Sequence, residues 1–327
     1  MGNLVKIVGL FTAFSSCLHL SLCQPLIKFA MERPALGSVA SITCFGLDSM
    51  QMQQAAERAF YLLDSFDLIF SDYKQNSETM LLAEQPAKRW IPISPPLYDL
   101  IEMSQKISAK TDNRFTVKIG ALTKLWRQSL AQNRIPPKSL IRRARKTVTR
   151  GMLQLADDTL LLKKNINGLR MDFGGIAKGY IADHMGKTMT EQGVPIFLIN
   201  LGGDLLAGEA PPDQSGWKID VSWCDKVIEI NHAAIATSGP DFQFFVHKGV
   251  RYAHIIDPVT GWGVKNLFAT TVIASTGWQA DAFASAFTIL PLDRSRAIID
   301  EKIGLEAIIA VENELFQSQN FSHYIVN

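Results

Sequence analysis

Asp281 and Ser285 stand four residues apart in Ala280-Asp-Ala-Phe-Ala-Ser285, so a helix there presents a carboxylate and a hydroxyl on one face. Two glycine pairs accompany acids elsewhere: Asp172-Phe-Gly-Gly-Ile-Ala-Lys178 and Asn200-Leu-Gly-Gly-Asp204. A glycine pair lets backbone approach a ligand closely. The free N–H groups of a following helix favour an anion, most often a phosphate. Lys178 adds a cation in that helix's first turn. Such a set suits Mg²⁺ bound together with substrate phosphates, because the ion takes one or two protein carboxylates and completes its shell with water and phosphate oxygens. Ala236-Thr-Ser-Gly239 ends a strand with two hydroxyls, and His254 and Asp257 straddle another strand end. A neutral imidazole there can take a proton.

Each piece has a plainer reading. The first glycine pair fits an ordinary tight turn with a surface lysine, and His254 a satisfied core histidine. Asp257-Pro258 fits the start of a turn, Asp281 a helix N-cap and Gly202-Gly203 a hairpin. Their joint occurrence and order carry the chemical reading.

The positioning elements follow from hydrophobic period. Pro34–Thr43 alternates like a strand. Asp48 or Ser49 caps a helix reaching about Phe66, with Ala56, Ala59, Phe60, Leu63 and Phe66 as its stripe. Phe70–Glu78 is polar and turn-like, and a second helix runs from about Pro96 to Lys110 behind Ser94. An apolar, β-like run (Leu160–Leu162, Leu169, Met171) leads to Asp172, and helix-period residues then reach Gly193. The second half reads mainly as strands at Ile196–Leu201, Trp217–Ser222, Val227–Ile230, Ala234–Thr237, Phe242–His247, Tyr252–Ile256 and Phe268–Ala274. A helix over Ala280–Leu290 and another from Asp293 follow. No internal repeat stands out. Helices and strands mix without regular βαβ alternation, which predicts an α+β fold with a largely antiparallel sheet.

The 327 residues are 47% hydrophobic and 20% charged, enough for a substantial core. Net charge is +2, which gives no reason to expect nucleic acid. The basic stretch Lys138–Arg150 fits a solvated helix face. Cys17, Cys23, Cys44 and Cys224 show no metal-binding spacing. Lys6 followed by the nearly uncharged Ile7–Leu22 reads as a secretory signal, shorter than the about 20 apolar residues of a spanning helix. This predicts a signal or lipoprotein segment over residues 1–23, one large domain over 30–327, and export, with lipid attachment at Cys17 or Cys23 as an imperfect match to a lipobox.

Taken in order, the motifs resemble the ApbE family, the FAD:protein FMN transferases, formerly described as thiamine-biosynthesis lipoproteins. The carrying stretches are Leu36-Gly-Ser38, Phe70-Ser-Asp-Tyr73 with Ser77-Glu78, Arg114-Phe-Thr116, Asp172–Tyr180, Asn200–Asp204, Thr237-Ser-Gly239, His254–Gly261 and Ala280–Ser285. The resemblance spans most of the chain. It implies Mg²⁺-dependent cleavage of FAD and transfer of FMN to a threonine hydroxyl of an acceptor flavoprotein, such as a membrane redox-complex subunit on the periplasmic side, with release of AMP. By the same resemblance Asp281, Ser285 and the Gly175 carbonyl hold the metal, and His254 activates the acceptor hydroxyl. Leu36, Tyr73, Arg114, Phe115, Thr116, Asp172, Lys178 and Ile255 contact FAD.

Departures from the family pattern include Asn113 for Gly, Thr116 for Asp, Ser285 for Thr and Gly263 for Pro. The first two fall in the loop expected beside the flavin or adenine. They motivate one alternative, an exported non-catalytic FAD-binding protein; a second, related to the transferase, is a pyrophosphatase giving FMN and AMP, with water replacing the threonine.

Overall fold

The computed structural model describes residues 25–132, 134–157, 159–239, 244–247, 250–253, 255–264, 269–311 and 314–326. The expected signal segment, Cys17, Cys23 and His254 lie outside the described residues. At the centre is an antiparallel sheet of eight strands whose spatial order is their order in the chain. These are β1 (Ile27–Ala35), β2 (Ser38–Gly46), β3 (Ile196–Leu201), β4 (Asp204–Ala207), β5 (Ala234–Ser238), β6 (Thr270–Ala274), β7 (Glu306–Val311) and β8 (Glu314–Gln317). The helices are α1 (Ser49–Phe70), α2 (Glu78–Glu84), α3 (Pro95–Lys110), α4 (Gly120–Ala131), α5 (Lys138–Arg150), α6 (Ala177–Glu191), α7 (Gly277–Phe287) and α8 (Leu292–Asp300). The architecture is α+β.

Period-two alternation sorts the sheet's two faces. Ala40, Ile42 and Cys44 of β2, Ile199 and Leu201 of β3, and Val272 and Ala274 of β6 face the main core with α1, α6 and α7. Ile235, Ile273 and Ile308 face the other way, onto a three-stranded sheet of Trp217–Val221, Lys226–Ile230 and Ile325–Val326. Strand β6 is therefore buried on both faces. Full burial of side chains such as Phe173, Phe283 and Phe287 contributes roughly 1.5–3 kcal/mol each.

Three expectations change. Pro34–Thr43 is not one strand but the corner of the β1–β2 hairpin, because Leu36 and Gly37 take φ of 52° and 75° and form a two-residue turn. Asp172 does not end a strand: the strand stops at Lys164, and the chain reaches α6 through an irregular segment pinned by the Asp172 N–H to the Val117 carbonyl at 2.8 Å. A short α2 follows the polar stretch at Phe70, capped by Ser77, whose hydroxyl accepts the Met80 N–H at 3.1 Å. Two boundaries also shift: the strand expected over Tyr252–Ile256 is Val250–Ala253, and the helix expected over Ala280–Leu290 runs from Gly277 to Phe287 because Asp183 caps its first turn. Asp48 caps α1, accepting from Met50 and Gln51 at 2.8 and 3.3 Å.

Candidate active site

Helices α6 and α7 cross with their backbones in contact at Gly179 and Gly277. A β-carbon on Gly179 would lie 2.0 Å from the Gly277 carbonyl oxygen, and one on Gly277 would lie 2.4 Å from that of Gly179. Each helix also caps the other. Gly179 N–H in the first turn of α6 donates to Asp281 Oδ2 of α7 at 3.2 Å. Gly277 and Trp278 N–H at the start of α7 donate to Asp183 Oδ1 and Oδ2 of α6 at 2.6 and 3.0 Å. The group seated at the α6 N-terminus in this structure is thus the Asp281 carboxyl. Asp281 lies within α7 and is not its N-cap, which is Thr276.

Lys178 is committed as well. Its Nζ stands 2.5 Å from Asp204 Oδ2, an ion pair lying off hydrogen-bond alignment. Burial opposes the Lys178 charge, but Asp204 and then Asp281 overcome it and hold its pKa above the ordinary lysine value. Burial, followed by the nearby Asp204 charge, pushes Asp281 up to about 8 against the pull of Lys178. Burial likewise raises Asp204, again opposed by Lys178. Two buried acids sharing one ammonium is a costly arrangement for a structural site and a common one for a functional site.

One turn beyond Asp281, Ser285 Oγ lies 3.4 Å from Ser238 Oγ at the end of β5. It also lies 2.8 Å from where a β-carbon on Gly175 would stand, so any side chain at 175 would collide with that hydroxyl, and only glycine lets the two approach. Gly175, Asp281 and Ser285 are thereby brought together, with Ser238 as a member that the residue-level expectation omitted. The Thr-Ser-Gly stretch was its visible signal. The donor set is all oxygen, which fits a hard cation such as Mg²⁺. Among the described residues no cluster of three His, Cys, Asp or Glu side chains forms a metal cage. A cation here would draw the rest of its shell from water and substrate.

Beside this centre lies a second cluster. Arg127 of α4 pairs with Asp72 through Nη1 and with Asp172 Oδ2 through Nη2 at 2.8 Å. Its guanidinium covers one face of the Tyr73 ring at 4.3 Å. Asp172 Oδ1 accepts the Gly174 N–H at 2.8 Å. Arg127 therefore joins Tyr73 to Asp172, yet it carried no sequence signal because it belongs to no motif. Burial, then the Asp172 charge, raises Asp72 to about 6 in spite of Arg127. The folded pKa exceeds the unfolded value, so the folded chain binds this proton more tightly. The group's stabilising contribution is greatest below about pH 4 and is lost as pH rises towards 6. Asp72→Asn is expected to raise stability by about 1–2 kcal/mol at pH 8 and to gain nothing at pH 4. Chemical denaturation at the two pH values checks this, and an equal effect at both would contradict it.

The remaining expected residues distribute around these clusters. Arg114 pairs with Asp257 Oδ2 at 2.7 Å, while Asp257 Oδ1 accepts the Val259 N–H. Asp257 is thereby occupied, and it anchors the turn that follows Ile255. Phe115 is buried against the Gly175 backbone. Thr116 is buried and caps the next turn by accepting the Lys118 N–H at 3.4 Å. Asn113 takes φ of 60°, a left-handed conformation that Asn tolerates, and accepts from Ser108 Oγ at 3.1 Å. Both loop departures are thus accommodated in the backbone. Leu36 sits at the β1–β2 tip, and neighbouring Ser38 abuts Gly202 in the turn before Asp204. A separate cavity of about 520 Å³ opens near the start of α7, lined by Tyr180, Asp183, His184, Thr276 and Trp278. None of the expected site residues lines it.

An eight-stranded antiparallel meander under two mutually capped helices, with an oxygen-lined centre beside a Tyr–Arg–Asp cluster, defines the class. The model of the ApbE family matches residues 36–309. Proteins named FAD:protein FMN transferase are 26% identical over 315 residues in Salmonella typhimurium and 27% over 316 in Escherichia coli. Each alignment covers 91% of this chain and 89% of the relative. The ApbE protein from Thermotoga maritima shares the fold with a TM-score of 0.81 at 24% identity, and the flavin transferase ApbE from Vibrio cholerae with 0.80 at 23%. Both alignments cover 92% of this chain and all of the other. The chain belongs to the ApbE family.

Proposed function

We propose that this protein transfers FMN from FAD to a threonine hydroxyl of an acceptor flavoprotein and releases AMP. The observation that carries the reading is the convergence of Asp281, Ser285 and the closely approaching Gly175 backbone beside the Lys178–Asp204 pair. The relatives named FAD:protein FMN transferase support it. In this reading Asp281, Ser285 and the Gly175 backbone would hold Mg²⁺, which when bound would supply charge neutralisation for the pyrophosphate. Tyr73 offers one open ring face to a planar aromatic group, and Arg127 holds that ring beside Asp172. Lys178 stays protonated next to the phosphate-approach turn. The acceptor Oγ forms a bond to the FMN phosphorus, the bond to the AMP oxygen breaks, and the hydroxyl proton passes to His254. Export, and action on the periplasmic side of a membrane, extend the reading on the strength of Lys6 and Ile7–Leu22. The domain spans residues 30–327.

The test mixes purified protein, FAD and an acceptor flavoprotein domain, with Mg²⁺ or with EDTA. The expected result is Mg²⁺-dependent AMP release matched by covalent flavin fluorescence on the acceptor, lost when the acceptor threonine becomes alanine. AMP without labelling would replace transfer by hydrolysis. Tight FAD binding with neither product would leave a flavin carrier.

A further inference from the structure

We propose that Asp183 is a positioning residue for the cation site, setting through the first turn of α7 where Asp281 and Ser285 stand. The inference rests on the reading of those two residues as cation ligands. It begins with a repeat that becomes visible only once the helices are seen to cross. Gly179-Tyr-Ile-Ala-Asp183 and Gly277-Trp-Gln-Ala-Asp281 share the pattern Gly-aromatic-x-Ala-Asp. Each Asp reaches across to the other segment's glycine N–H, at 3.2 Å in one direction and 2.6 Å in the other.

The two halves differ in what else they do. Asp183 places both oxygens on α7, one on Gly277 N–H and one on Trp278 N–H. Asp281 sits beside Lys178 and Asp204 and one turn before Ser285. Asp183 is therefore the holding half and Asp281 the working half.

The hold has no local substitute. Thr276 occupies the N-cap position of α7 but makes no side-chain cap bond, and its Oγ1 is buried without a hydrogen-bond partner. The first N–H groups of α7 are instead satisfied from a different helix, so this cap also ties α7 to α6. The crossing itself is bare backbone at Gly179 and Gly277, with no side chains to interdigitate. Without Asp183 the first turn of α7 is free to fray, and Asp281 lies one turn from that end. Ligand-orienting partners of this kind typically change metal affinity by about 10–100-fold.

The cavity bordering Asp183 admits water to the exposed N–H groups, so Asp183→Ala is expected to fold. Asp48→Ala is the control: it removes a helix cap with two similar N–H contacts, on α1, away from the site. The full-length protein is titrated with Mn²⁺ in the presence of ADP, following free Mn²⁺ by electron paramagnetic resonance, and each variant is melted in parallel. Asp183→Ala is expected to weaken Mn²⁺ binding about tenfold. Asp48→Ala should lower the melting temperature without changing Mn²⁺ affinity. Asp183→Asn, which keeps an acceptor for Gly277 N–H, should recover part of the loss. Mn²⁺ affinity in Asp183→Ala equal to that of the unaltered protein would overturn the inference. If that variant does not fold, Asp183→Asn carries the same comparison against Asp48→Ala, and equal affinity again overturns it. Failure of the unaltered protein to bind Mn²⁺ would overturn the cation-site reading as well, which separates the two failures.

Discussion

Asp281→Asn is expected to lose FMN transfer by roughly a thousandfold and, in the absence of metal, to melt at a higher temperature than the unaltered protein at neutral pH. The two effects have one cause. Asp281 is buried, and burial together with the Asp204 charge raises its pKa to about 8 despite Lys178. Its folded pKa lies above its unfolded value, so its negative charge costs folding stability once the pH exceeds the ordinary carboxylate range. An amide of the same shape keeps the acceptor for Gly179 N–H and carries no charge, while Lys178 retains Asp204 as its partner. The gain is on the order of 2 kcal/mol, a few degrees in melting temperature. Activity falls because a neutral amide is a far weaker ligand for a hard cation than a carboxylate. Thermal melts in EDTA at pH 7.5 and the AMP-release assay measure the two sides. A variant that melts lower and stays active would remove Asp281 from the site.

The second large effect is steric. Gly179→Ala puts a β-carbon 2.0 Å from the Gly277 oxygen, 2.2 Å from its carbonyl carbon and 2.6 Å from Trp278 N. All three atoms are backbone, in a helix held by Asp183, so no side chain can rotate away. Overpacking of this kind costs about 3 kcal/mol or more, expected as a drop of several degrees or as insoluble protein. A soluble variant should also lose transfer, because the Gly179 N–H to Asp281 bond cannot survive separation of the helices. Circular dichroism melts and the transfer assay decide it. A variant that melts like the unaltered protein would overturn the backbone contact between the two helices.

The glycine at 179 also shows where reading residues in order falls short. Its neighbours Gly174 and Gly175 read as a phosphate-approach turn, and Gly175 does approach Ser285 closely. Gly179 has a different task, the contact with a helix almost a hundred residues later. Nothing within its own helix records that contact. The same holds for Arg127, which lies on the polar side of α4 and gains its role only when Asp72 and Asp172 arrive from two other segments. Lys178 reads as a free cation in the chain and becomes half of an ion pair once the β3–β4 turn delivers Asp204.

What the chain determined alone is considerable. Hydrophobic period set α1, α3, α6, α7 and α8 and most strands of the second half, since burial of a face demands that period wherever the element forms. Glycine and acid spacing marked Asp172, Gly175, Asp204, Asp281 and Ser285, because close backbone approach and oxygen donors are properties of residue type. Tertiary structure decided which of these meet. It turned Leu36 into a hairpin corner, seated Asp281 on the N-terminus of α6, and paired Asp183 with α7. Those outcomes depend on which buried faces pack together, and packing joins residues by distance in space, which local sequence does not encode.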